Sequence, residues 1–311
     1  MPAVARITPA TRSTRIAGVA RTTRHLAALA LAAAALAALP ARAQAPQAAP
    51  AVPAQPAFLD EVPFITTPDH VTLEMLSIAG VGAADHVIDL GSGDGRIVVT
   101  AARRFGATGL GVEIVPDLVE RSERAARLAG VSDKAKFKVQ DLFETDLTPA
   151  SVITMYLLPD FNLKLRPLLL ALKPGTRVVS HDWDMGDWAP DETRVLAVPD
   201  KAVGREKQSK VHFWVVPARV EGLWCGVGPL TGSSLRLAQR YQEVTGQYER
   251  RGRVREIQAR LRGAVLRTQE TRDGALELQA EGDALVLRSG PGPLALARGA
   301  TFRRTAGERC A

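Results

Sequence analysis

The chain has 311 residues, enough for two domains, and its 46% hydrophobic and 23% charged residues are ordinary for a globular protein. Six of its positive charges are arginines of residues 1–43, a stretch that contains no lysine and no acid. The other 34 basic and 33 acidic side chains leave a net charge of +1, which gives no electrostatic reason to expect a nucleic-acid partner.

The N-terminus has the pattern of a secretory signal peptide. Residues 26–39 are an uncharged apolar run that follows Arg21 and Arg24 and precedes the small-residue sequence "ARA". The run is too short to predict a transmembrane helix, although an uncleaved signal anchor is the alternative. We therefore expect residues 1–43 to be a leader and 44–59, rich in Ala and Pro, to be a linker. The predicted protein is exported to the periplasm. Contact with the membrane is expected only in the alternative case, through a leader that is not cleaved.

Residues 60–218 alternate between strand and helix patterns. Strands are predicted at 86–90, 109–114, 136–141, 150–158 and 177–182, and helices at 95–105, 116–130 and 161–172. Two further strands, at 194–199 and 210–217, have no long helix between them. This order predicts an α/β domain with a parallel sheet, helices on both faces and an antiparallel edge.

The pattern changes at about residue 222. Apolar and polar residues now alternate with period two, and the turn sequences "RDG", "EGD" and "SGPG" separate the runs. Residues 219–311 therefore predict a small antiparallel β-domain, either a barrel or a sandwich. Its arginines are interpreted as a solvated outer face, or alternatively as a surface for an anionic partner. In an exported protein Cys225 and Cys310 either form a disulfide or remain as two thiols.

The sequence "VIDLGSGDGR", residues 87–96, places three glycines at every second position between a strand and a helix. Glycine permits a positive φ and lets a ligand approach the backbone, and such loops usually hold phosphates. Here, however, Asp89 and Asp94 would repel a pyrophosphate, and the spacing is G-x-G-x-G rather than the dinucleotide pattern G-x-G-x-x-G. The loop therefore favours a cofactor with a positive centre.

Three acids end successive predicted strands: Asp89, Glu113 and Asp141. The carboxyl ends of parallel strands meet at one edge of a sheet, so these acids are expected to converge on one crevice. Glu113 is placed to bind a ribose diol and Asp141 to accept from the adenine amine. S-adenosylmethionine has a sulfonium, an ammonium, a ribose and an adenine, and fits this set. As alternatives, Asp94 caps the following helix and Asp141 is an ordinary turn residue.

These residues carry a resemblance to a known family. "VIDLGSGDGR", "GVEI" (111–114), "QDLF" (140–143), "YLLP" (156–159) and "VVSHDWDMGDW" (178–188) resemble the seven-strand, class I S-adenosylmethionine-dependent methyltransferases. Within that class the sequence, including "PFITTPDHVTLEMLSIAGV" (63–81), is similar to the ATP synthase c-subunit and adenine nucleotide translocase lysine methyltransferases and their bacterial relatives. The resemblance covers about residues 60–217 and implies a Rossmann-like seven-strand sheet.

The resemblance also implies roles for particular residues. The methionine end of the cofactor is expected beside Asp89, Gly91, Gly93 and Asp94. Glu113 is expected to bind the ribose. The adenine is expected between Asp141 and Leu142, and the pocket is expected to close with Thr66 and Thr67. The implied reaction is N-methylation of a protein lysine or another amine, and the alternative is a non-catalytic protein of the cell envelope that binds an adenosyl ligand or acts as an adaptor.

The acceptor side is expected after the fourth and fifth strands. Tyr156 lies where many amine methyltransferases carry Asn/Asp-Pro-Pro-aromatic; "YLLP" departs from that motif and matches the lysine methyltransferases. Tyr156 is expected to orient the amine and His181 or Asp182 to accept its proton. Trp183 and Trp188 either stack on an alkylammonium or pack in the core or at its rim. No His/Cys cluster has metal-ligand spacing, so no metal is expected.

Overall fold

The computed structural model describes residues 64–202, 206–270, 272 and 274–310. The predicted leader and linker, residues 1–59, lie outside this part of the chain. None of the helices in the described ranges is both long enough and apolar enough to cross a bilayer.

The first eleven named elements alternate as the sequence predicts. They are α1 Asp69–Ile78, β1 His86–Leu90, α2 Arg96–Phe105, β2 Thr108–Glu113, α3 Pro116–Leu128, β3 Ala135–Val139, β4 Val152–Met155, α4 Pro159–Leu170, β5 Arg177–His181, β6 Glu192–Ala197 and β7 Gln208–Val215. The strands form one sheet in the order β3-β2-β1-β4-β5-β7-β6. β1 to β5 run parallel, whereas β7 is antiparallel to β5 and β6, which confirms the predicted seven-strand sheet and its antiparallel edge.

The central strands are buried on both faces because helices cover both sides of the sheet. Val87 of β1 packs into one core with α1 and α2, and Ile88 packs into the other with α4. This explains why β1 and β4 are nearly continuous apolar runs. It also makes Asp89, within β1, an exception that needs a chemical reason.

The end of β3 and the start of α4 differ from the prediction for local chemical reasons. β3 ends at Val139 rather than at residue 141, because the Asp141 carboxylate accepts a hydrogen bond from the Phe143 N–H and starts a short 3-10 helix, Leu142–Glu144. α4 begins at Pro159 rather than at 161, because proline fits the first turn of a helix, where its missing N–H costs nothing. The predicted fourth strand is correspondingly shorter.

An all-β part follows, made of eight antiparallel strands. They are β8 Gly222–Gly226, β9 Ser233–Arg240, β10 Glu243–Arg250, β11 Arg253–Arg262, β12 Val265–Thr268, β13 Glu277–Glu281, β14 Ala284–Ser289 and β15 Thr301–Thr305. Each strand pairs with the next one along the chain, and the last, β15, pairs with the first, β8, so the strands close into a barrel. The barrel alternative is thus confirmed, and closure leaves no unpaired strand edge among the eight strands described.

The run "LALARGATFRR", residues 294–304, has the alternation that predicts a strand, but it forms one only in its second half. The apolar residues 292–297 form a 3-10 helix, and only Thr301–Thr305 pair as a strand. Pro291 and Pro293 each lack the N–H that a strand needs for its hydrogen bonds, so the segment folds over the barrel core instead, where Leu294 packs.

Cys225 and Cys310 form a disulfide, which confirms the pairing alternative. The bond joins β8 to the end of the described chain and encloses the other barrel strands. It stabilises the barrel mainly by restricting the unfolded chain.

Candidate active site

The glycine loop, residues 91–95, connects β1 to α2 in a left-handed backbone. Gly91, Gly93 and Gly95 have φ values of 71°, 54° and 77°. A Cβ on Gly93 would overlap the Phe64 ring, and one on Gly95 would come within 2.7 Å of the Ser122 Cβ. Side chains are therefore excluded at these three positions by the positive φ and, at Gly93 and Gly95, also by close neighbours.

Asp89 lies beneath the loop and is only 2% exposed. The Thr154 hydroxyl donates to its Oδ1 at 2.7 Å, and no other hydrogen bond to this carboxyl is present among the described residues. Burial raises the pKa of Asp89 to about 7; the Thr154 hydrogen bond opposes this, and the charges of Glu113 and Asp94 add to it. A buried carboxyl with a single donor is complementary to a cationic group.

The Glu113 carboxylate, at the end of β2, accepts hydrogen bonds both from the glycine loop and from the backbone that follows β2. Its Oε2 accepts from the Gly93 N–H at 2.9 Å, and its Oε1 accepts from the N–H groups of Ile114 at 2.8 Å and Val115 at 3.1 Å. The carboxylate therefore fixes the glycine loop to β2. Oε2 has a second acceptor position, so the predicted ribose contact is compatible with these bonds.

Asp94 is paired with Arg96, a residue that the sequence pattern did not single out. The Arg96 Nη2 lies 2.6 Å from the Asp94 Oδ2, and the Arg96 Nη1 donates to the Thr67 carbonyl at 2.8 Å. The pair thus ties the glycine loop to residues 64–68, which we call the N-terminal arm. Asp94 also accepts from the Arg96 N–H at 3.3 Å, but the N-cap of α2 is Gly95, without a side-chain cap, so the capping alternative is wrong.

The two threonines of the arm differ in position. Thr67 is buried, and its hydroxyl lies 3.1 Å from the His181 Nδ1, whereas Thr66 is exposed. The arm therefore reaches the acceptor side through Thr67. On the opposite side of the crevice, Asp141 begins the 3-10 helix, and Leu142 packs at the edge of the core with Phe143.

The predicted acceptor residues lie together. The Tyr156 hydroxyl donates to the Asp182 Oδ2 at 3.3 Å, and the Tyr156 and His181 ring centroids are 3.9 Å apart. The Lys201 Nζ lies 2.8 Å from the same Asp182 oxygen. We call Tyr156, His181, Asp182 and Lys201 the acceptor cluster. Lys201 was missed because only the packing of the β6–β7 connection brings it to the end of β5.

The charge state of the cluster follows from its contacts. Burial raises the pKa of Tyr156 to about 12, and Asp182 adds to this, so the phenol remains a donor. For Asp182 burial alone would raise the pKa, but the hydrogen bonds from the Lys201 side chain and the Lys210 N–H lower it. Asp182 is therefore ionised at neutral pH. Its φ of 64° is unusual for a residue with a side chain, and the Lys210 N–H holds its Oδ1 at 3.0 Å.

His181 is only 1% exposed, and both ring nitrogens are engaged. Nδ1 contacts the Thr67 hydroxyl, and Nε2 contacts the Ser209 hydroxyl at 2.9 Å. Burial lowers the pKa of His181 to about 4, although the charge of Asp182 opposes the shift. The neutral ring is thus suited to orienting Tyr156 and Thr67. Asp182 is the better placed of the two predicted proton acceptors.

The residues after β5, 182–191, form what we call the acceptor loop. Asn162 of α4 is buried, and its Nδ2 donates to the Trp183 carbonyl at 3.1 Å, so α4 holds the start of the loop. Trp183 is 43% exposed. Trp188 is fully buried against Trp214 and Tyr241, so for Trp188 the stacking prediction is wrong and the core alternative holds.

The barrel holds the far end of the acceptor loop. The Asp187 carboxylate accepts from the Tyr241 hydroxyl at 3.1 Å and pairs with Arg240. The Arg260 Nη2 lies 3.0 Å from the Asp191 Oδ1, and the Gln242 Nε2 donates to the Ala189 carbonyl at 2.6 Å. These contacts make the geometry of the loop dependent on the barrel.

The groups around the glycine loop fit S-adenosylmethionine by their own chemistry. A buried carboxyl with one hydroxyl donor, a loop with glycine at three positions and a carboxylate at the end of β2 suit its sulfonium, methionine backbone and ribose. Within the described ranges, no group of three or more His, Cys, Asp or Glu side chains is arranged to hold a metal.

Comparison with known proteins gives consistent matches. The family model described as the ANTKMT methyltransferase domain matches residues 89–192. A protein-lysine N-methyltransferase of Saccharolobus islandicus is 41% identical over 146 residues, which are 46% of this chain and 89% of that protein. The ATP synthase c-subunit lysine N-methyltransferase of Mus musculus is 37% identical over 108 residues. Those residues are 34% of this chain and 43% of the mouse protein, so the chain matches less than half of that relative.

Among solved structures, an RNA methyltransferase from Salinibacter ruber in complex with S-adenosyl-L-homocysteine is 49% identical. The match covers 50% of this chain and 96% of that one, with a TM-score of 0.45. The archaeal relative, which the chain covers almost completely, decides the family. The chain belongs to the class I S-adenosylmethionine-dependent methyltransferases, in the family of the ATP synthase c-subunit and adenine nucleotide translocase lysine methyltransferases and their prokaryotic relatives.

Proposed function

We propose that the protein transfers the methyl group of S-adenosylmethionine to the side-chain amine of a lysine in a protein. The archaeal and mouse relatives described above are lysine methyltransferases by name. The observation that carries the proposal is the acceptor cluster, where one Asp182 oxygen binds both a phenol hydroxyl and a primary ammonium. A substrate lysine presents the same ammonium group to the same carboxylate.

On the cofactor side, we assign Asp89, Gly91, Gly93 and Asp94 to the methionine end. Glu113 is assigned to the ribose. Asp141 and Leu142 are assigned to the adenine, and Thr66 and Thr67 to the closing arm. When bound, S-adenosylmethionine supplies an electrophilic methyl group on a sulfonium. Asp89 places negative charge where that cation binds, and Glu113 keeps the glycine loop in position to receive it.

On the acceptor side, an ammonium must lose a proton before its nitrogen has a lone pair with which to attack. We assign proton acceptance to Asp182, which is ionised and adjoins Tyr156. Tyr156 keeps its own proton, and its hydroxyl oxygen orients the amine. His181 fixes the Tyr156 ring from behind. In-line methyl transfer depends chiefly on this kind of positioning.

Two measurements test the proposal. Calorimetric titration of S-adenosylmethionine into residues 44–311, with NAD as the control ligand, reports the cofactor site without requiring turnover. Tritiated methyl transfer into envelope proteins reports the reaction, and Glu113→Ala is the matched inactive variant. Label that depends on Glu113 and is found in lysine supports the proposal, whereas cofactor binding without label in any fraction contradicts it.

We further propose that the protein is exported to the periplasm. The charge and apolar pattern of residues 1–43 supports this, and so does a disulfide, since such bonds persist in oxidising compartments. A fusion of residues 1–60 to alkaline phosphatase tests it. An active fusion supports export, and an inactive fusion with a stable product contradicts it.

A further inference from the structure

Lys201 is the feature of the acceptor cluster that the proposed reaction does not use. It lies in the connection between β6 and β7, and its side chain is only 16% exposed. Its Nζ lies 2.8 Å from the Asp182 Oδ2 and donates to the Gln208 carbonyl at 2.6 Å. Lysine is rarely this buried unless its charge is paired. The side chain is thus held in one place rather than extended into solvent.

The Lys201 ammonium binds the same Asp182 carboxylate that we propose for the ammonium of the substrate lysine. Asp182 Oδ2, which binds the Lys201 Nζ, is also the oxygen that accepts from the Tyr156 hydroxyl. A second primary ammonium cannot take this carboxylate oxygen in the same geometry while the Lys201 Nζ is there. The internal lysine and an incoming lysine therefore compete for one position.

We propose that Lys201 is an internal stand-in for the substrate lysine, whose ammonium holds the acceptor position on Asp182 and must leave before a substrate lysine binds. This inference rests on the proposed function. Lys201 thereby inhibits the free protein from within, because only the fraction of molecules in which Lys201 is displaced from Asp182 can bind a substrate lysine. If that fraction is about one fifth, the apparent affinity for a lysine substrate is about fivefold below the intrinsic one.

A purely structural role for Lys201 predicts the opposite effect. If the ammonium served only to neutralise a half-buried carboxylate, its removal would leave Asp182 unpaired and distort the cluster. Binding of a lysine substrate would then weaken or stay unchanged. Competition predicts that removal of the ammonium strengthens binding, so the sign of the effect separates the two roles.

The test uses Lys201→Met in the full chain, with Lys207→Met as the matched control. Lys207 lies in the same connection, and its Nζ donates to the Lys201 carbonyl at 3.1 Å rather than to Asp182. Lys201→Arg keeps a charged donor for Asp182 and serves as the conservative variant. The probe is a short peptide with one lysine, titrated by calorimetry with S-adenosylhomocysteine present, and the same peptide with norleucine measures non-specific binding.

The expected result is that Lys201→Met binds the lysine peptide about fivefold tighter than the wild type, whereas Lys207→Met and Lys201→Arg bind it as the wild type does. Equal, weaker or undetectable binding by Lys201→Met overturns the inference. If Lys201→Met does not fold, Lys201→Gln replaces it, because glutamine retains an N–H donor for the Gln208 carbonyl. Lys201→Gln must then also bind the lysine peptide more tightly than the wild type does. Tighter binding without methyl transfer by any variant would refute the proposed function alone.

Discussion

Asp89→Asn removes a buried charge while it preserves the shape of the side chain and an oxygen for the Thr154 hydroxyl. In the native protein the pKa of Asp89 is raised to about 7 from its ordinary 3.8, mainly because the group is buried. The folded protein therefore keeps a proton that the unfolded chain has already released between these two pH values. Ionisation of Asp89 then works against folding, and we expect the asparagine variant to be the more stable protein at neutral pH.

The magnitude follows from the size of the shift. A group that binds its proton more tightly in the folded state loses stability as pH rises, at roughly 1.4 kcal/mol per pH unit between its two pKa values. Over the interval from 3.8 to about 7 the loss reaches roughly 4 kcal/mol. We therefore expect the advantage of Asp89→Asn over the wild type to be absent near pH 3.8, to grow as pH rises, and to level off above about pH 7.

The assay is urea unfolding of the wild type and of Asp89→Asn, without cofactor, at a series of pH values. Groups that titrate alike in the two proteins cancel in the difference between their free energies of unfolding. Asp85→Asn is the control, because the pKa of Asp85 is shifted in the opposite direction, below its ordinary value. Burial alone would raise the pKa of Asp85, but hydrogen bonds from Ser151, Gly82 and Arg177 lower it. Its loss should therefore cost more stability at neutral pH than at acid pH. Parallel stability curves for wild type and Asp89→Asn would refute the reasoning.

Four further outcomes are expected. S-adenosylmethionine should bind more tightly as pH rises towards about 7, because a cation favours the ionised form of Asp89; pH-independent titrations would contradict this. Tyr156→Phe keeps the ring against His181, so in single-turnover assays it should slow methyl transfer by about tenfold to a hundredfold, with cofactor affinity unchanged. Arg96→Gln removes the charged link from Asp94 to the N-terminal arm and should weaken cofactor binding by about tenfold in calorimetry, a loss of roughly 1.4 kcal/mol; unchanged affinity would mean that the arm does not close the site. Replacement of both Cys225 and Cys310 by serine should lower the free energy of unfolding by about 2–5 kcal/mol in denaturant titrations, since the bond spans 85 residues.

The sheet and the crevice that we assign to the cofactor were predictable because the local sequence determines both. A glycine loop between an apolar strand and a helix has few possible structures, and acids at the ends of parallel strands must converge. Asp89 and Glu113 accordingly lie where their strand positions predict. The wrong boundary at Asp141 has a local cause too: a short carboxylate can end a strand by accepting the N–H two residues later.

The acceptor side was less predictable because distant segments build it. Lys201 reaches Asp182 only through the β6–β7 connection, and no spacing rule relates these positions. Trp188 stands five residues after the exposed Trp183 in a polar loop, and its burial depends on contact with Tyr241 in the barrel. Arg96 was visible in "GDGR", but its bond to the Thr67 carbonyl requires the arm to fold back over the loop.

The attachment of the acceptor loop to the barrel has a consequence for the order in which the protein matures. The residues assigned to the cofactor all precede residue 143, whereas the partners that Asp187 and Asp191 have in the barrel, namely Arg240, Tyr241 and Arg260, lie in the last third of the chain. A growing chain therefore contains all the residues that we assign to the cofactor well before its acceptor loop can acquire its contacts with the barrel. We expect the nascent protein to gain cofactor affinity first and competence for transfer only when the last strands have closed, which delays methylation until synthesis is complete.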